Sequence, residues 1–292
     1  MRRITMLLSM TATAAVLFTV SPASAINSYN ATPAPERTEV GALVVLTDPT
    51  PTRPAVRWSC TGTMISATVF LTAAHCIDNR PAGTRFFVSR SQNVQADIDA
   101  SYAIGGTPEQ VAQRVGVEGV GIFDPGFGHD QADSHDIAIV QFTPAQATAL
   151  ANWPGWGAFT PATLPGHNQL SILGGRALDA LPWQVMGYGT QEAVRGPGGQ
   201  THPGGGVRMK APLAFNALND TWLRLAMNES RDLGGACYGD SGGPNFVTIG
   251  GKLILAGTTI TGDVPCYATN VVYRTDTDSA RAFLSPYVSL PS

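Results

Sequence analysis

Short apolar runs broken by glycine and proline are the feature that most limits how this chain can fold. The runs are rich in β-branched residues, and the 292 residues include 32 glycines and 21 prolines. Such runs, separated by turn residues, are typical of strands in β-barrels and β-sandwiches. The clearest runs are 41–46, 63–72, 85–88, 137–142, 184–188, 253–260 and 270–274. The sequence therefore predicts an all-β fold.

Four further segments interrupt the strand pattern. Residues 108–115 predict a short surface helix, and 278–288 predict a C-terminal helix whose start Asp276, Asp278 or Ser279 can cap. Residues 145–166 are rich in alanine, tryptophan, proline and glycine, and are interpreted as a connection between two halves. The glycine-dense stretch 195–206 predicts a long, mobile surface loop.

The first 25 residues have the three parts of an export signal. Arg2 and Arg3 form a basic start, residues 6–20 are mostly apolar, and 23–25 read Ala-Ser-Ala, the small residues after which signal peptidase cuts. The alternative is a membrane anchor, but the apolar run is short for a bilayer span of about 20 residues. We therefore expect a secreted protein, extracellular or periplasmic, with no membrane partner after signal removal. Residues 26–39 would then form a mature N-terminus or a propeptide.

Composition and cysteine content further limit which class of protein this chain can be. Hydrophobic residues at 43% and charged residues at 13% exclude a disordered chain, and a net charge of −3 gives no reason to expect a nucleic-acid partner. Four cysteines in an exported chain predict two disulfides, for which three pairings exist. Pairing near neighbours, Cys60 with Cys76 and Cys237 with Cys266, is the simplest choice. A structural zinc site is the alternative, but no Cys-x-x-Cys pair is present.

The strongest chemical signal is the run from Gly239 to Pro244, which reads Gly-Asp-Ser-Gly-Gly-Pro. A serine hydroxyl is a poor nucleophile near neutral pH and needs an adjacent base. Flanking glycines let the backbone turn tightly and let a carbonyl group approach without a Cβ in the way. The N–H groups of Gly239 and Ser241 would then converge as an oxyanion hole. A glycine-rich turn with an incidental serine is the plain alternative, which six specified residues in order make a poor explanation.

Among five histidines, His75 is the candidate base. It follows the run Leu-Thr-Ala-Ala at the end of a predicted strand and precedes Cys76, a setting that fixes the backbone. The other four lie among glycine, proline, aspartate and glutamine, and are interpreted as exposed loop residues. Asp136 is the candidate partner, because it directly precedes the apolar run 137–140 and a charge at the mouth of a core strand needs pairing.

The chain order of histidine, aspartate and serine, together with the residues on either side of each, resembles that of the chymotrypsin-like (trypsin-like) serine protease family. Residues 60–65, 124–127, 187–189 and 271–273 also resemble family segments, so the similarity runs from about residue 40 to 290. The resemblance implies two antiparallel six-stranded β-barrels, about 40–150 and 160–275, and a C-terminal helix at about 278–288. It also implies a Cys60–Cys76 bridge and a triad of His75, Asp136 and Ser241 in the cleft between the barrels.

The resemblance further implies a serine endopeptidase acting on proteins or peptides, without a cofactor, and expected to be a monomer. Its primary pocket would be formed by Gly235 and Ala236 with Val271 as a second wall. No acid stands there to pair with lysine or arginine, so small or medium apolar residues are the expected preference. Residues Ile260, Thr261 and Gly262 would form the edge strand that pairs with substrate, although Thr259 fits the first of these positions after a one-residue shift.

Animal members of this family are activated when a new apolar N-terminus pairs with the aspartate before the serine, and that aspartate matches Asp240. Cleavage after Ala25 would expose Ile26, so signal removal is one hypothesis for the activating step. The alternative pairs Asp240 with an internal arginine and leaves Ile26 disordered. A non-catalytic binding protein on the same scaffold is the alternative function, and an α/β-hydrolase esterase is disfavoured by Pro244 and the strand-like residues after it. Residues 129–136 meet no metal-ligand spacing, so no metal site is expected.

Overall fold

The structure is a computed structural model that describes residues 26–78 and 80–292. The predicted export signal, residues 1–25, therefore lies outside the described residues. Across the described part of the chain, no helix has both the length and the apolar character needed to cross a bilayer.

The first barrel consists of six antiparallel strands that follow β1 (Thr32–Pro33) in the chain. They are β2 (Val40–Leu46), β3 (Val56–Met64), β4 (Val69–Thr72), β5 (Arg85–Ser89), β6 (Val117–Phe123) and β7 (Ala138–Gln141). The barrel closes in the order β2-β3-β4-β7-β6-β5. Its apolar side chains form a buried core, in which β2 is buried over almost its whole length.

The second barrel also has six antiparallel strands. They are β8 (Trp183–Gly187), β11 (Met209–Leu218), β12 (Trp222–Ala226), β13 (Pro244–Ile249), β14 (Lys252–Gly262) and β15 (Thr269–Arg274). A β8–β11 pairing closes the barrel, and β1 adds to the free edge of β11. The short strands β9 (Val194–Gly196) and β10 (Gly199–Thr201) form a separate hairpin. The prediction of an all-β fold with two six-stranded barrels is confirmed.

The described residues form five α-helices, four of which contact strands of one barrel or the other. They are α1 (Val94–Ile104), α2 (Pro108–Val115), α3 (Pro144–Ala151), α4 (Gln169–Asp179) and α5 (Asp278–Leu284). Helices α2 and α3 begin with the same sequence signal: a threonine caps the helix, proline occupies the first turn, and glutamine completes a capping box. The predicted α2 has the observed bounds.

Some predictions about the strands and their connections were wrong. The predicted run 63–72 contains the end of β3, a turn and β4, and the strands β6, β11 and β12 lie outside the predicted runs. Helix α3 occupies the start of 145–166, and α1 and α4 were not predicted at all. The stretch 195–206 contains most of the β9–β10 hairpin rather than only a loop. The C-terminal helix ends at Leu284, and Thr277 caps it through a hydrogen bond to the N–H of Ala280, instead of Asp276, Asp278 or Ser279.

The barrels meet along β3 and the chain just before β13. The N–H of Thr61 on β3 donates to the carbonyl of Ser241 over 2.9 Å, and the Thr61 hydroxyl donates to the carbonyl of Gly239 over 2.9 Å. From the other side, the N–H of Gly242 donates to Thr259 on β14 over 2.7 Å. The segment around Ser241 is therefore held between one strand of each barrel.

Candidate active site

His75 and Asp136 are joined by two hydrogen bonds in the first barrel. His75 lies in a single 3₁₀ turn, Ala74–Cys76, just after β4. Asp136 accepts the backbone N–H of His75 on Oδ1 over 2.9 Å and faces His75 Nδ1 with Oδ2 over 2.8 Å. One carboxylate thus fixes both the backbone and the ring of the histidine, which makes Nδ1 the donor and leaves Nε2 free to accept a proton.

Asp136 is itself held rigidly. The carboxylate is buried, and the N–H of Ile137 donates to the carbonyl of His135 over 2.8 Å, which closes a tight turn around Asp136. A buried carboxylate is costly unless its oxygens are hydrogen-bonded, and both oxygens of Asp136 have partners on His75. The apolar run after Asp136 sets this position, because it forms β7 in the barrel core.

Ser241 lies in a turn that only glycines can make. Gly239 and Gly242 have φ angles of +98° and +77°, in the left-handed region that other residues rarely adopt. A Cβ on Gly239 would stand 2.4 Å from the Trp58 ring, and one on Gly242 would stand 2.1 Å from the Thr72 hydroxyl oxygen. The glycines therefore let the second-barrel turn approach the first barrel closely enough for Ser241 and His75 to share a cleft.

The cleft has a volume of about 510 Å³ and contains both His75 and Ser241 in its walls. The Ser241 hydroxyl forms no hydrogen bond with any of the described residues, His75 included. The structure thus brings the three predicted catalytic residues to one place and joins two of them directly.

The backbone N–H groups beside Ser241 divide into paired and unpaired donors. The N–H groups of Asp240, Gly242 and Gly243 all donate to carbonyl oxygens within the protein. Those of Gly239 and Ser241, the two predicted donors, have no partner within the described part of the chain, and both residues line the cleft. Two free N–H groups next to the candidate nucleophile can bind an oxygen that gains negative charge.

The predicted substrate-binding residues divide into two groups. Ala236, Ile260, Thr261 and Gly262 line the cleft, as does Thr259, the other residue considered for the edge strand. Gly235 and Val271 lie outside the lining: Gly235 packs against Met227, whose side chain would lie 2.3 Å from a Cβ at that position, and Val271 pairs with Thr261 across β14 and β15. Met227 thus fills space behind the expected pocket, and no sequence signal pointed to this residue.

Sequence reasoning also missed several residues of the cleft walls. They are Ser59, Arg80, Tyr238, Asp263 and Val264. Tyr238 directly precedes the glycine-rich motif and could have been found from that neighbourhood, whereas Arg80 carries no sequence signal. The carboxylate of Asp263 accepts three backbone N–H groups, from Tyr267, Ala268 and Thr269, over 2.6–3.0 Å.

Asp240 occupies a second buried carboxylate site, behind the Ser241 turn. It is fully buried, and its two oxygens accept the N–H groups of Gly189 over 2.7 Å and of Cys237 over 2.8 Å. Burial raises the pKa of this carboxyl to about 7, although both hydrogen bonds favour the charged form. No arginine or other cation among the described residues forms an ion pair with Asp240, so the hypothesis of an internal arginine partner finds no support.

Ile26 lies next to this site. Its side chain is fully buried in the second-barrel core, and its backbone nitrogen is 3.3 Å from the carbonyl oxygen of Gly189, the residue whose N–H reaches Asp240. The following residue, Asn27, exchanges two hydrogen bonds with Gly235, over 2.9 and 2.7 Å. Ile26 is therefore packed into the second barrel, an arrangement that differs from the alternative in which it is disordered.

The disulfides form in the predicted pairing, Cys60 with Cys76 and Cys237 with Cys266. One lies in each barrel; the first supplies Cys60 to the cleft wall, and the second supplies both Cys237 and Cys266. His75 and His202 approach these sulfur atoms, but sulfur in a disulfide is not a thiolate ligand for a metal.

His135 differs from its interpretation as an exposed loop residue. It is half-buried, its Nδ1 lies 3.1 Å from Asp124, and its N–H donates to Asp133 over 3.0 Å. The carboxylate of Asp133 also accepts the hydroxyl of Tyr273 from the second barrel over 2.8 Å. The loop 124–135 is thus tied down by hydrogen bonds instead of being simply solvated.

Comparison with known proteins places these features in a family. A search of curated proteins finds no match for this chain. The family model described as trypsin matches residues 36–282, a stretch that begins before β2 and ends within α5. This range contains both barrels, both disulfides and every candidate catalytic residue. Because the match covers most of the chain, the protein belongs to the trypsin family, whose members are serine proteases.

Proposed function

We propose that this protein is a secreted serine endopeptidase that hydrolyses peptide bonds through His75, Asp136 and Ser241. The observation that carries the proposal is the pair of unpartnered N–H groups on Gly239 and Ser241, in the same cleft as an imidazole held by a buried carboxylate. A non-catalytic protein would have no need to keep both features together. Membership of the trypsin family and two disulfides are typical of secreted proteins, which supports the export part of the proposal.

In the proposed mechanism, Ser241 Oγ attacks the carbonyl carbon of the scissile bond while His75 Nε2 takes its proton. The carbonyl oxygen becomes an oxyanion that accepts the N–H groups of Gly239 and Ser241. Asp136 stabilises the resulting imidazolium, which then donates its proton to the leaving amine as the C–N bond breaks. Water, deprotonated by His75, releases the acyl group and restores Ser241. We expect the Ser241–His75 hydrogen bond to form as substrate enters, because such contacts often tighten on binding.

We further propose that the enzyme prefers small or medium apolar residues at the cleaved position. Ala236 and Ile260 in the cleft wall and Met227 behind Gly235 support a shallow, apolar pocket. Asp263 is the acid nearest to this wall, and its carboxylate is already hydrogen-bonded to three backbone N–H groups. A lysine or arginine side chain would therefore gain little there. A peptide library in which lysine or arginine substrates are cleaved best would contradict this preference.

Export is proposed as the activating step. A chain that begins at Ile26 has an ammonium group at the nitrogen that lies 3.3 Å from the carbonyl of Gly189, the residue whose own N–H donates to the Asp240 carboxylate. An ammonium at this place would pair with a carboxylate that lacks a cationic partner among the described residues, and would stabilise the turn that carries Ser241. Sequencing of the N-terminus of active secreted enzyme tests this step; a start at Thr38 or beyond would contradict it.

The decisive experiment compares the secreted wild-type protein with Ser241→Ala. A fluorophosphonate probe should modify the wild-type protein at Ser241, and peptide hydrolysis should fall by at least about 10³-fold in the variant. Thr190→Ala, which changes a hydroxyl outside the cleft lining, is the matched control and should keep both activities. A wild-type protein that binds peptides but neither hydrolyses them nor reacts with the probe would instead be a binding protein on this scaffold.

A further inference from the structure

Arg80 is a cation in the first-barrel wall of the cleft. Its Nε donates to the carbonyl of Cys76 over 2.9 Å, and one of its terminal nitrogens lies 4.0 Å from Cys60 Sγ. These contacts tether the side chain over the first disulfide, next to His75. The guanidinium has five N–H groups in total, so most of its donors remain available to a ligand in the cleft.

The charge of Arg80 is not balanced by an acid. No carboxylate within residues 26–78 and 80–292 forms an ion pair with it. Burial lowers the pKa of Arg80, and the positive charges of Arg57 and Arg53 lower it further. Three arginines therefore concentrate positive charge on this side of a protein whose net charge is −3. A cation that is partly buried and lies near two other positive side chains favours an anionic ligand.

The position of Ser241 decides which part of a substrate meets this wall. The carbonyl of Ser241 accepts an N–H from Thr61 on β3, whereas the next residue, Gly242, donates to Thr259 on β14. Ser241 thus stands between the β14 wall and the β3 wall. When the acyl part of a peptide pairs with β14 at Ile260–Gly262, the residues after the scissile bond must leave toward β3, the first disulfide and Arg80.

We propose that Arg80 makes this protein select peptides with an aspartate or glutamate one or two residues after the scissile bond. This inference rests on the proposed function, since it assigns a substrate class to the same cleft. The planar guanidinium matches a carboxylate in shape as well as in charge, and such pairs form two parallel hydrogen bonds. Arg57 and Arg53 strengthen the preference by raising the local positive potential, without lining the cleft themselves.

The test uses peptides that are identical except for glutamate, glutamine or lysine at the two positions after the scissile bond. For the wild-type protein, kcat/KM for glutamate should exceed that for glutamine by about fivefold, and lysine should be poorest, as expected for one charge pair near a protein surface. In Arg80→Gln the glutamate-to-glutamine ratio should fall to about one. Using a ratio within each protein removes any general change in activity. Arg224→Gln, an exposed arginine on β12 outside the cleft, should keep the wild-type ratio.

Two further measurements keep the inference testable if Arg80→Gln folds poorly or if catalysis fails. The wild-type ratio should shrink toward one as salt rises from 0.1 M to 1 M, where the screening length falls from about 10 Å to about 3 Å. Ser241→Ala should bind the glutamate peptide about fivefold more tightly than the glutamine peptide in a fluorescence anisotropy titration. Equal binding, or a ratio that Arg80→Gln leaves unchanged, would overturn the role of Arg80. Failure of wild type to cleave a simple ester with a non-peptide leaving group would overturn the proposed function alone.

Discussion

Each barrel holds one buried carboxylate near the cleft, and the two sites are built differently. Asp136 in the first barrel accepts two donors from one residue, His75, whose ring can carry a positive charge. Asp240 in the second barrel accepts two backbone N–H groups, from Gly189 and Cys237, and no side-chain donor among residues 26–78 and 80–292. Both carboxylates are almost inaccessible to solvent, so burial alone does not separate them.

The difference lies in what balances the charge. An imidazole can become a cation during a reaction, so the Asp136 site is complete within the folded chain and suits proton transfer. Backbone dipoles balance the Asp240 charge only in part, and burial accordingly raises the pKa of that carboxyl to about 7. The Asp240 site thus suits a cation that arrives later. The following predictions test this contrast, from the largest expected effect to the smallest.

Replacing Asp136 with asparagine should have the largest effect, and on catalysis. The amide keeps the shape but presents a donor to the ring, so His75 takes the wrong tautomer and kcat should fall by about 10⁴-fold with little change in KM. Asp130→Asn, an exposed acid in the loop before Asp136, is the control and should stay within twofold of wild type. If Asp136→Asn kept more than a tenth of the wild-type kcat, Asp136 would not support proton transfer by His75, and the proposed difference between Asp136 and Asp240 would be wrong.

The second prediction concerns the space around Asp240. A Cβ on Gly187 would stand 2.0 Å from Asp240 Oδ1, whereas a Cβ on the exposed Gly198 would meet nothing within 4 Å. Gly187→Ala should therefore lower the free energy of unfolding by about 3 kcal/mol, because a fully buried carboxylate has nowhere to move. Gly198→Ala should change it by less than about 0.5 kcal/mol. Denaturant titration measures both, and equal stabilities would mean that the Asp240 site is loosely packed.

The third prediction is a pH dependence of stability in protein that retains residues ahead of Ile26. The pKa of Asp240 rises from 3.8 to about 7 on folding, so between these values the folded chain holds a proton that the unfolded chain has lost. The Asp240 contribution is therefore favourable at low pH and is lost as pH rises toward 7. Asp240→Asn should flatten this part of the unfolding curve, and Asp220→Asn, at an exposed position, should not. An unchanged slope in Asp240→Asn would mean that Asp240 is charged throughout.

The same measurement on protein that begins at Ile26 sharpens the comparison. A terminal ammonium beside Asp240 would favour the charged carboxylate, so the loss of stability toward pH 7 should be smaller than in the extended chain. Identical profiles for the two forms would contradict the proposed activation by export.

The smallest effect is expected at Asn27, which anchors the segment beside Asp240. Its side-chain oxygen accepts the buried N–H of Gly235 over 2.7 Å, so Asn27→Ala leaves that donor without a partner. The free energy of unfolding should fall by about 1–3 kcal/mol. Ser28→Ala removes an exposed hydrogen bond to Glu192 and should cost less than about 0.5 kcal/mol. Equal effects would mean that the segment contributes no specific anchoring.

Local signals in the sequence were sufficient for α2 and for the strands β2, β5, β7, β8, β14 and β15, because β-branched apolar runs and a capping box act over a few neighbouring residues. They did not reveal β6, β11 or β12, and they merged the end of β3 with β4 in one run. The same capping signal starts α3, where the surrounding glycine and proline led to the prediction of a connection. Helix α4 was missed because glycines interrupt it. Gly174, at φ +73°, forms a kink that divides the helix into two parts. His135 was read as exposed, since the acids that hold it have no helical or strand periodicity to reveal them.

The sequence by itself determined an all-β fold and the identity of the candidate catalytic groups, because strand-forming runs and the residues around a nucleophile are set by backbone geometry and chemistry. The two-barrel arrangement was implied only by the family resemblance, and the cysteine pairs were chosen as the simplest of three possibilities. Only the tertiary structure decided which cleft residues stand beside them: Arg80 over the first disulfide, Met227 behind Gly235, and Ile26 next to the Asp240 site. Their roles depend on distances between residues far apart in the chain, which packing of the two barrels sets and no local pattern encodes.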